Sequence, residues 1–434
     1  MREMRDSGIE WIGQIPKDWK TSKLKYLTTE RSESALMTSE DIYIGLENVA
    51  SNKNEVVEIQ TENLQSIQNI CKKDDVMFSK LRPYLNKVII CPCDCFCTSE
   101  FIVYKCFEGD NRYLRYFLTN AAFIDVVTAS TYGTKMPRAN PQFIKNLEIC
   151  YCDLAEQQQI ADYLDTKCSE IDATAEDIQK EISLLEDYKK SVITEAVTKG
   201  LDPDAEMKDS GIAWIGKIPK DWAFPKITHI LDYTHPYPIG DGDHGTIKAE
   251  NYSEEGIPFI RVQNLGFATE LIMNNVVYIT EKQNNGIINS TLYPNDILFA
   301  KTGATIGKVG IMPENIKKAN TTSHVGKITV SEEVVPKFIF YVLSSFIGYK
   351  QFWDIALMKS TRPELSIDEI KTLHVLLPKT KEEQQQIADF LDTKCSEIDA
   401  LIADKKRQLD ILAEYKKSLI YEYVTGKKEV PINE

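Results

Sequence analysis

Only a few places along this chain hold residues whose types and spacing could do chemistry. Cys91, Cys93, Cys95 and Cys97 alternate through ICPCDCFC, and in a strand, where successive side chains point to opposite faces, that spacing puts all four thiols on one face. Grouped thiolates suit zinc, which takes four tetrahedral ligands. Structural zinc sites usually draw CxxC-type knuckles from separate turns, and no histidine precedes His229 to complete a mixed site. Free cysteine is also among the most buried residue types, so the run reads as a buried thiol face with no metal. The second place is Gly303-Ala-Thr-Ile-Gly307-Lys308-Val309. Glycines cradle phosphates when GxxxxGK[ST] joins a strand to a helix. That spacing is absent here and no helical pattern follows, so the glycines read as a turn. An Asn-Pro-Pro-aromatic adenine-methylation motif, HExxH and GxSxG are all missing. The residues offer no catalytic constellation.

The elements that would position any site are dominated by a duplication. Residues 4–19, MRDSGIEWIGQIPKDW, return at 207–222 as MKDSGIAWIGKIPKDW, and residues 156–173, EQQQIADYLDTKCSEIDA, return at 383–400 with only Tyr163 changed to Phe390. In the second block Leu164, Cys168, Ile171, Ala175, Ile178, Ile182 and Leu185 alternate spacings of four and three, the pattern of a heptad seam. The same register gives Leu391, Cys395, Ile398, Ile402, Lys405, Leu409 and Leu412, where Lys405 must pack its stem and free its ammonium. Residues 154–199 contain neither glycine nor proline. A helix of about 40 residues would reach roughly 60 Å and cannot bury its seam alone, so each copy's helix is expected to pack antiparallel along the other with approximate two-fold symmetry. Gly200 and Pro203 then mark a stop. Trp11, Trp19, Trp214 and Trp222 of the first block read as packing against the domain or helix base.

The expected organisation is a first domain over 1–153, a long helix over 154–200, a second domain over 201–381, a second long helix over 382–426, and a tail over 427–434. The interiors differ widely, yet DDVMFSKLRPYLNKVII (74–90) aligns with NDILFAKTGATIGKVGI (295–311). The alignment sets Asp75 against Asp296, Phe78 against Phe299, Lys80 against Lys301 and Lys87 against Lys308. Both segments read as strand, loop, strand. YGTKMPRANPQFIKNL (132–147) likewise aligns with KSTRPELSIDEIKTL (359–373), each a basic, proline-containing loop entering an apolar-periodic segment. With short β-rich runs and helical pieces near 111–127 and 336–353, the interiors are α+β domains. At 434 residues, 43% apolar and 27% charged, the chain can bury a sizeable core. It opens without a charged-then-apolar leader and carries no run approaching the roughly 20 apolar residues that span a bilayer. The expectation is a cytoplasmic protein with reduced thiols and no membrane.

The paired SGIEWIGQIPKDW and SGIAWIGKIPKDW openings, the NDILFAKTGATIGKVGI hairpin and the two EQQQIADxLDTKCSEIDA helix starts resemble the DNA-specificity subunit of type I restriction-modification systems. The resemblance runs through essentially the whole chain, except that the first hairpin, FSKLRPYLNKV, lacks the GATIG glycines. It implies an adaptor with no chemistry of its own: two target-recognition domains separated by two long antiparallel coiled-coil helices, each domain reading half of a split double-stranded DNA site. It further implies two methyltransferase subunits docked on the helices and motor-nuclease restriction subunits beyond them. S-adenosylmethionine, ATP and Mg would be bound by those partners and no cofactor by this chain.

The candidate DNA-binding residues are Lys80, Arg82, Tyr84 and Lys87 in the first hairpin and Lys301, Thr302, Thr305 and Lys308 in the second. Tyr132, Lys135, Arg138 and Asn140, with Lys359, Ser360, Thr361 and Arg362, form the second loop cluster. Arginine, lysine and asparagine can read base edges, whereas lysines and hydroxyls more often position the backbone. His244, Arg261, Gln263 and Asn264 are weaker candidates, because IPFIRVQNL reads as a buried strand whose polar residues end it. The net charge of −14 argues against DNA, but residues 154–200 hold 11 acidic against 5 basic residues while 232–381 hold 16 against 15. The acid is concentrated on the helix, where a partner protein could meet it, and it is the local patch that governs contact with phosphate. A different class of protein with the same frame is a pseudo-symmetric scaffold binding proteins or glycans.

Overall fold

The structure, a computed structural model, describes residues 2–57, 66–268, 271–357 and 363–431. The stretches free of helix breakers form uninterrupted helices, Leu154–Lys199 and Lys381–Val424. The chain divides into two compact units, residues 1–179 with 406–434, and residues 180–405. Each unit therefore owns one end of each long helix. In the first, Leu164, Cys168 and Ile171 from the start of one helix cluster with Leu419, Ile420 and Tyr423 from the end of the other. In the second, Ile193, Ala196 and Val197 from the end of one meet the cluster of Ile387, Leu391 and Cys395 from the start of the other. The helices thus run antiparallel, and the unit boundaries fall within them instead of at their ends.

The apolar seam is buried at Ile178 and Ile182 and at Ile398 and Ile402. Lys405 is half-buried and its ammonium pairs with Glu181, so the stem packs while the charge escapes. Continuing the seam brings in two lysines that the periodicity alone does not expose. Lys189, 5% exposed, pairs with Asp399 at 2.7 Å. Its counterpart Lys416 pairs with Asp172 at 2.6 Å. Both aspartates belong to the repeated block, so the duplicated sequence supplies the same charge clasp once in each unit.

The rest of that block seats the domains. The Trp19 indole, 2% exposed, donates to Glu156 at 3.1 Å, and Trp222, 1% exposed, donates to Glu383 at 2.9 Å. Gln157 accepts the Asp110 amide and Gln384 the Val335 amide, both at 2.9 Å. Asp165 and Asp392 each accept a tyrosine hydroxyl, from Tyr116 and Tyr341, at 2.7 Å. The other half of the frame is a hairpin, Met4–Asp6 with Gln14–Pro16, and again Met207–Asp209 with Lys217–Pro219. Its turn needs positive φ at Gly8 and Gly13, and at Gly211 and Gly216, where only glycine sits without a Cβ penalty. Trp11 packs edge-on against Phe117 and Phe123, and Trp214 against Phe346. All four tryptophans act as packing, as their apolar frame predicts.

In the first unit an antiparallel sheet orders Thr28–Glu30, Phe101–Phe107, Val76–Ser79 and Val88–Ile90. Its period-two pattern covers both faces. Val76, Phe78, Val88 and Ile102 meet the core that includes the helices Asn111–Thr119 and Ala121–Ala129. Met77, Ile89, Phe101 and Val103 meet a smaller cluster holding the cysteines. The second unit repeats the plan with Ile239–Asp241, Val325–Ile328, Ile297–Ala300 and Val309–Ile311. There Ile297, Phe299, Val309 and Ile328 face the main core, and Leu298, Ala300 and Val325 a smaller one. Asp75 and Asp296 are buried at the turn entering the strand: Asp75 accepts Arg31 at 2.7 Å and the Lys72 amide, and Asp296 accepts the Tyr293 amide and Thr329.

The cysteine run departs from the single strand face expected of it. Only Cys95–Cys97 is strand, pairing with Ile67–Cys71, because Pro92 has no amide to extend the ladder and Cys93 and Asp94 turn the chain. Cys91, Cys95 and Cys97 are nonetheless buried, Cys93 is half-buried, and Cys71 joins the group.

Candidate nucleic-acid interface

The two loop clusters singled out in the first domain are zipped together by backbone. The Arg82 amide donates to the Pro137 carbonyl at 2.7 Å, the Ala139 amide donates to Lys80 at 2.8 Å, and Leu81 bridges Arg138. In the second unit the Gly303 amide donates to Pro363 and the Leu365 amide to Lys301, both at 2.9 Å, with Thr302 bridging Glu364. Each unit thus builds the same two-loop surface, one loop following the buried strand and the other preceding a short helix, Pro141–Asn146 or Ile367–Ile370. Lys359, Ser360, Thr361 and Arg362 lie outside the described residues.

The missing glycines of the first hairpin are explained by its backbone. Both hairpins run strand, one 3-10 turn, strand, over Pro83–Leu85 and Gly303–Thr305. Gly303 and Gly307 have φ of 61° and 100°, and Arg82 and Asn86 hold the corresponding positions at 48° and 47°. Asparagine tolerates this left-handed region, whereas an arginine there is strained by about 1–2 kcal/mol. Asn86 is also tied down, its amide donating to the Thr119 carbonyl at 2.8 Å. The loop geometry is therefore shared, but in the first domain an arginine carries the strain.

The side chains sort by what already holds them. Lys80 is half-buried and Lys135 exposed, and neither ammonium has a hydrogen-bond partner among the described residues. Among the described residues the Arg82 side chain makes one bond, 3.4 Å from Nη2 to the Lys135 carbonyl, and its buried Nε has no partner. Tyr84 and Tyr132 are exposed. Arg138 pairs with Glu100 at 2.6 Å, which raises its pKa. Asn140 caps the following helix, accepting the Gln142 amide at 2.9 Å. Lys87 donates to the Leu46 carbonyl at 2.6 Å, and burial lowers its pKa.

In the second unit Lys301 is 4% exposed and paired with Asp241, which makes it a strut, unlike its counterpart Lys80. Thr302 bonds His324 at 3.2 Å and Thr305 donates to the Thr302 carbonyl at 2.6 Å. Lys308 lies over the Phe267 ring at 5.8 Å. Of the weaker candidates, Asn264 is fully buried and holds the Arg261 and Ile272 backbone, and Arg261 donates to the Asn275 carbonyl. Gln263 is exposed, and His244 is exposed beside Asp241. Nothing in the local sequence pattern marks Glu100 or Asp241 as the groups that occupy Arg138 and Lys301, because these partners lie 38 and 60 residues away.

The type I restriction modification DNA specificity domain model matches residues 16–184 and 219–410, most of the chain and each half in turn. The chain belongs to the type I restriction-modification DNA specificity family. Among curated members it is similar to the type I restriction enzyme MjaVIII specificity subunit of Methanocaldococcus jannaschii, 28% identical over 326 residues, covering 74% of this chain and 71% of that one. It is similar to the EcoBI specificity subunit of Escherichia coli at 25% identity over 288 residues, covering 64% and 58%. A putative MjaX specificity subunit of Methanocaldococcus jannaschii aligns over 96% of both chains at 24% identity. A solved chain from work on complex assembly and conformational transition of the type I R-M system shares the fold with a TM-score of 0.71 at 16% identity, covering 95% and 99%. The two matched regions place one bridged loop pair in each half of this specificity subunit. Among the described residues no helix is long and apolar enough to cross a membrane.

Proposed function

We propose that each bridged loop pair reads one half of a bipartite duplex DNA site, so that the subunit selects sequence without catalysing a reaction. One observation carries this: the same two-loop surface is built twice on one frame, but with Lys80, Arg82 and Tyr84 on one copy and Thr302, Gly303 and Thr305 on the other. A shared scaffold with different loop side chains is what two different half-sites require, because base contacts specify while backbone contacts only position. Contact in the first domain runs through Lys80, Arg82, Lys135 and the exposed rings of Tyr84 and Tyr132. In the second it runs through Lys308 and the Thr302–Thr305 turn, with 359–362 as further candidates. Lys87, Asn140 and Lys301 serve by holding the loops.

The acidic outer faces of the long helices dock two methyltransferase subunits, and motor-nuclease subunits join through them. S-adenosylmethionine, ATP and Mg are used by those partners. Selection from random duplex by the complex tests the reading: two short words at fixed spacing are expected. Replacing 232–380 by another such domain is expected to change only one word. Enrichment of a single word, of none, or a change in both words on the swap, refutes it.

A further inference from the structure

Outside the proposed interface, the densest group of metal-ligating side chains is the cysteine cluster of the first domain. Cys71, Cys91 and Cys95 place their Sγ atoms within 4.8 Å of one another, and all three are buried. The Cys91 and Cys95 sulfurs are 3.4 Å apart, and Cys97 Sγ lies 3.0 Å from Cys71 Sγ. A tetrahedral zinc centre with Zn–S of about 2.3 Å needs S···S edges of about 3.8 Å. A disulfide needs about 2.05 Å. Cys71, Cys91 and Cys95 are spaced to converge on one ion, Cys97 approaches Cys71 but stands outside that mutually close group, and the 3.0 and 3.4 Å contacts are longer than a disulfide bond.

We propose that Cys71, Cys91 and Cys95 hold a zinc ion and that Cys97, which in this structure reaches Cys71 alone, swings in as the fourth thiolate. The ligands come from three places: the end of strand Ile67–Cys71, the residue after strand Val88–Ile90, and strand Cys95–Cys97. Cys91 and Cys95 flank the Pro92–Asp94 turn, so they form a knuckle whose chain reversal is already made, while Cys71 lies opposite Cys95 in the ladder. The Cys91 thiol donates to the Cys93 carbonyl at 3.0 Å. Metal entry gives up that bond and releases one proton from each ligating thiol, so loading weakens as pH falls.

The site also has a structural task. The cluster it would lock is small, its buried apolar members being Ile44, Val49, Met77, Ile89, Phe101 and Val103 besides the cysteines. Cys91 exchanges backbone hydrogen bonds with Asp74 and Asp75 at the entry to the strand that leads into the Lys80–Lys87 loop. Zinc would therefore clamp the sheet under the first loop pair, and the second unit, which has Cys395 alone, has no counterpart among its described residues.

The test uses the full chain purified under reducing conditions without chelator. Elemental analysis is expected to give about one zinc per chain. Exchange with cobalt(II) is expected to give the thiolate charge-transfer band in the near ultraviolet and the intense visible bands of tetrahedral coordination. Cys91→Ser with Cys95→Ser is expected to abolish both signals, whereas Cys395→Ser leaves them unchanged. Should the double variant fail to fold, the wild-type cobalt spectrum still decides. A wild-type chain that binds no zinc after reduction and metal addition, gives only a weak octahedral cobalt spectrum, or shows an intact mass reduced by disulfide formation overturns the proposal. Zinc retained by the folded double variant overturns it as well.

Discussion

Arg82 joins backbone strain to the proposed contact surface, so relieving the strain is expected to move stability and binding in opposite directions. Its φ of 48° sits where the second hairpin uses Gly303 at 61°. Arg82→Gly removes a left-handed penalty of roughly 1–2 kcal/mol, and the extra freedom of glycine in the unfolded chain takes back about 0.5–1 kcal/mol. The lost bond to the Lys135 carbonyl is long at 3.4 Å, and the buried Nε has no partner to lose. The net expectation is a gain of about 0.5–1 kcal/mol, or a rise of about 1–4 °C in the melting of the first unit. Cognate DNA affinity should fall about 5- to 150-fold if the guanidinium reads a base. If it meets phosphate, the loss should instead be sequence-independent, with the salt slope shallower by about 0.9. Calorimetry and a salt titration of binding measure the two effects. Asn86→Gly is the contrast, because it loses the bond to Thr119 and is expected to lower stability by about 1 kcal/mol. A less stable Arg82→Gly protein with unchanged DNA affinity would refute both the strain argument and the contact.

Further expectations follow from the same contacts. Lys308→Ala should flatten the salt dependence of DNA binding by about one ion, whereas Lys301→Ala, which strands Asp241, should lower the melting temperature of the second unit; a shared phenotype contradicts their different burial. Asp399→Asn leaves the Lys189 ammonium without its partner and should cost about 1–2 kcal/mol, discounted because Asp399 is 46% exposed. Asp172→Asn should do the same through Lys416, and additive double variants with the lysines changed to Met would remove the clasps from the account. His374 stacks on Phe224 and burial lowers its pKa. A depressed histidine adds stability that is present above its unfolded value near 6.5 and is lost as pH falls through the folded one. The second unit should therefore soften below about pH 6.5, and His374→Phe should flatten that limb in a pH-dependent melt.

The long helices, the duplicated frame and the alignment of the two hairpins were all legible from spacing, because a seam buried along one helix and an alternating strand leave periodic marks in a linear sequence. The tryptophans of SGIxWIG and KDW could be assigned to packing for the same reason, since an apolar frame surrounds them locally. Partners separated by many residues leave no such mark. Lys80 and Lys301 align residue for residue, yet only folding brings Asp241 onto Lys301 and leaves Lys80 without a salt bridge among the described residues. Cys71 is 20 residues from the alternating run and enters the thiol cluster only because its strand pairs with Cys95–Cys97. Arg82 looked like a departure from a glycine pattern, and the backbone shows the same left-handed turn kept at a cost in strain. Local periodicity is a property of sequence, whereas charge neutralisation, ligand convergence and strain depend on which distant groups packing brings within a few ångströms, and that was decided by the tertiary structure.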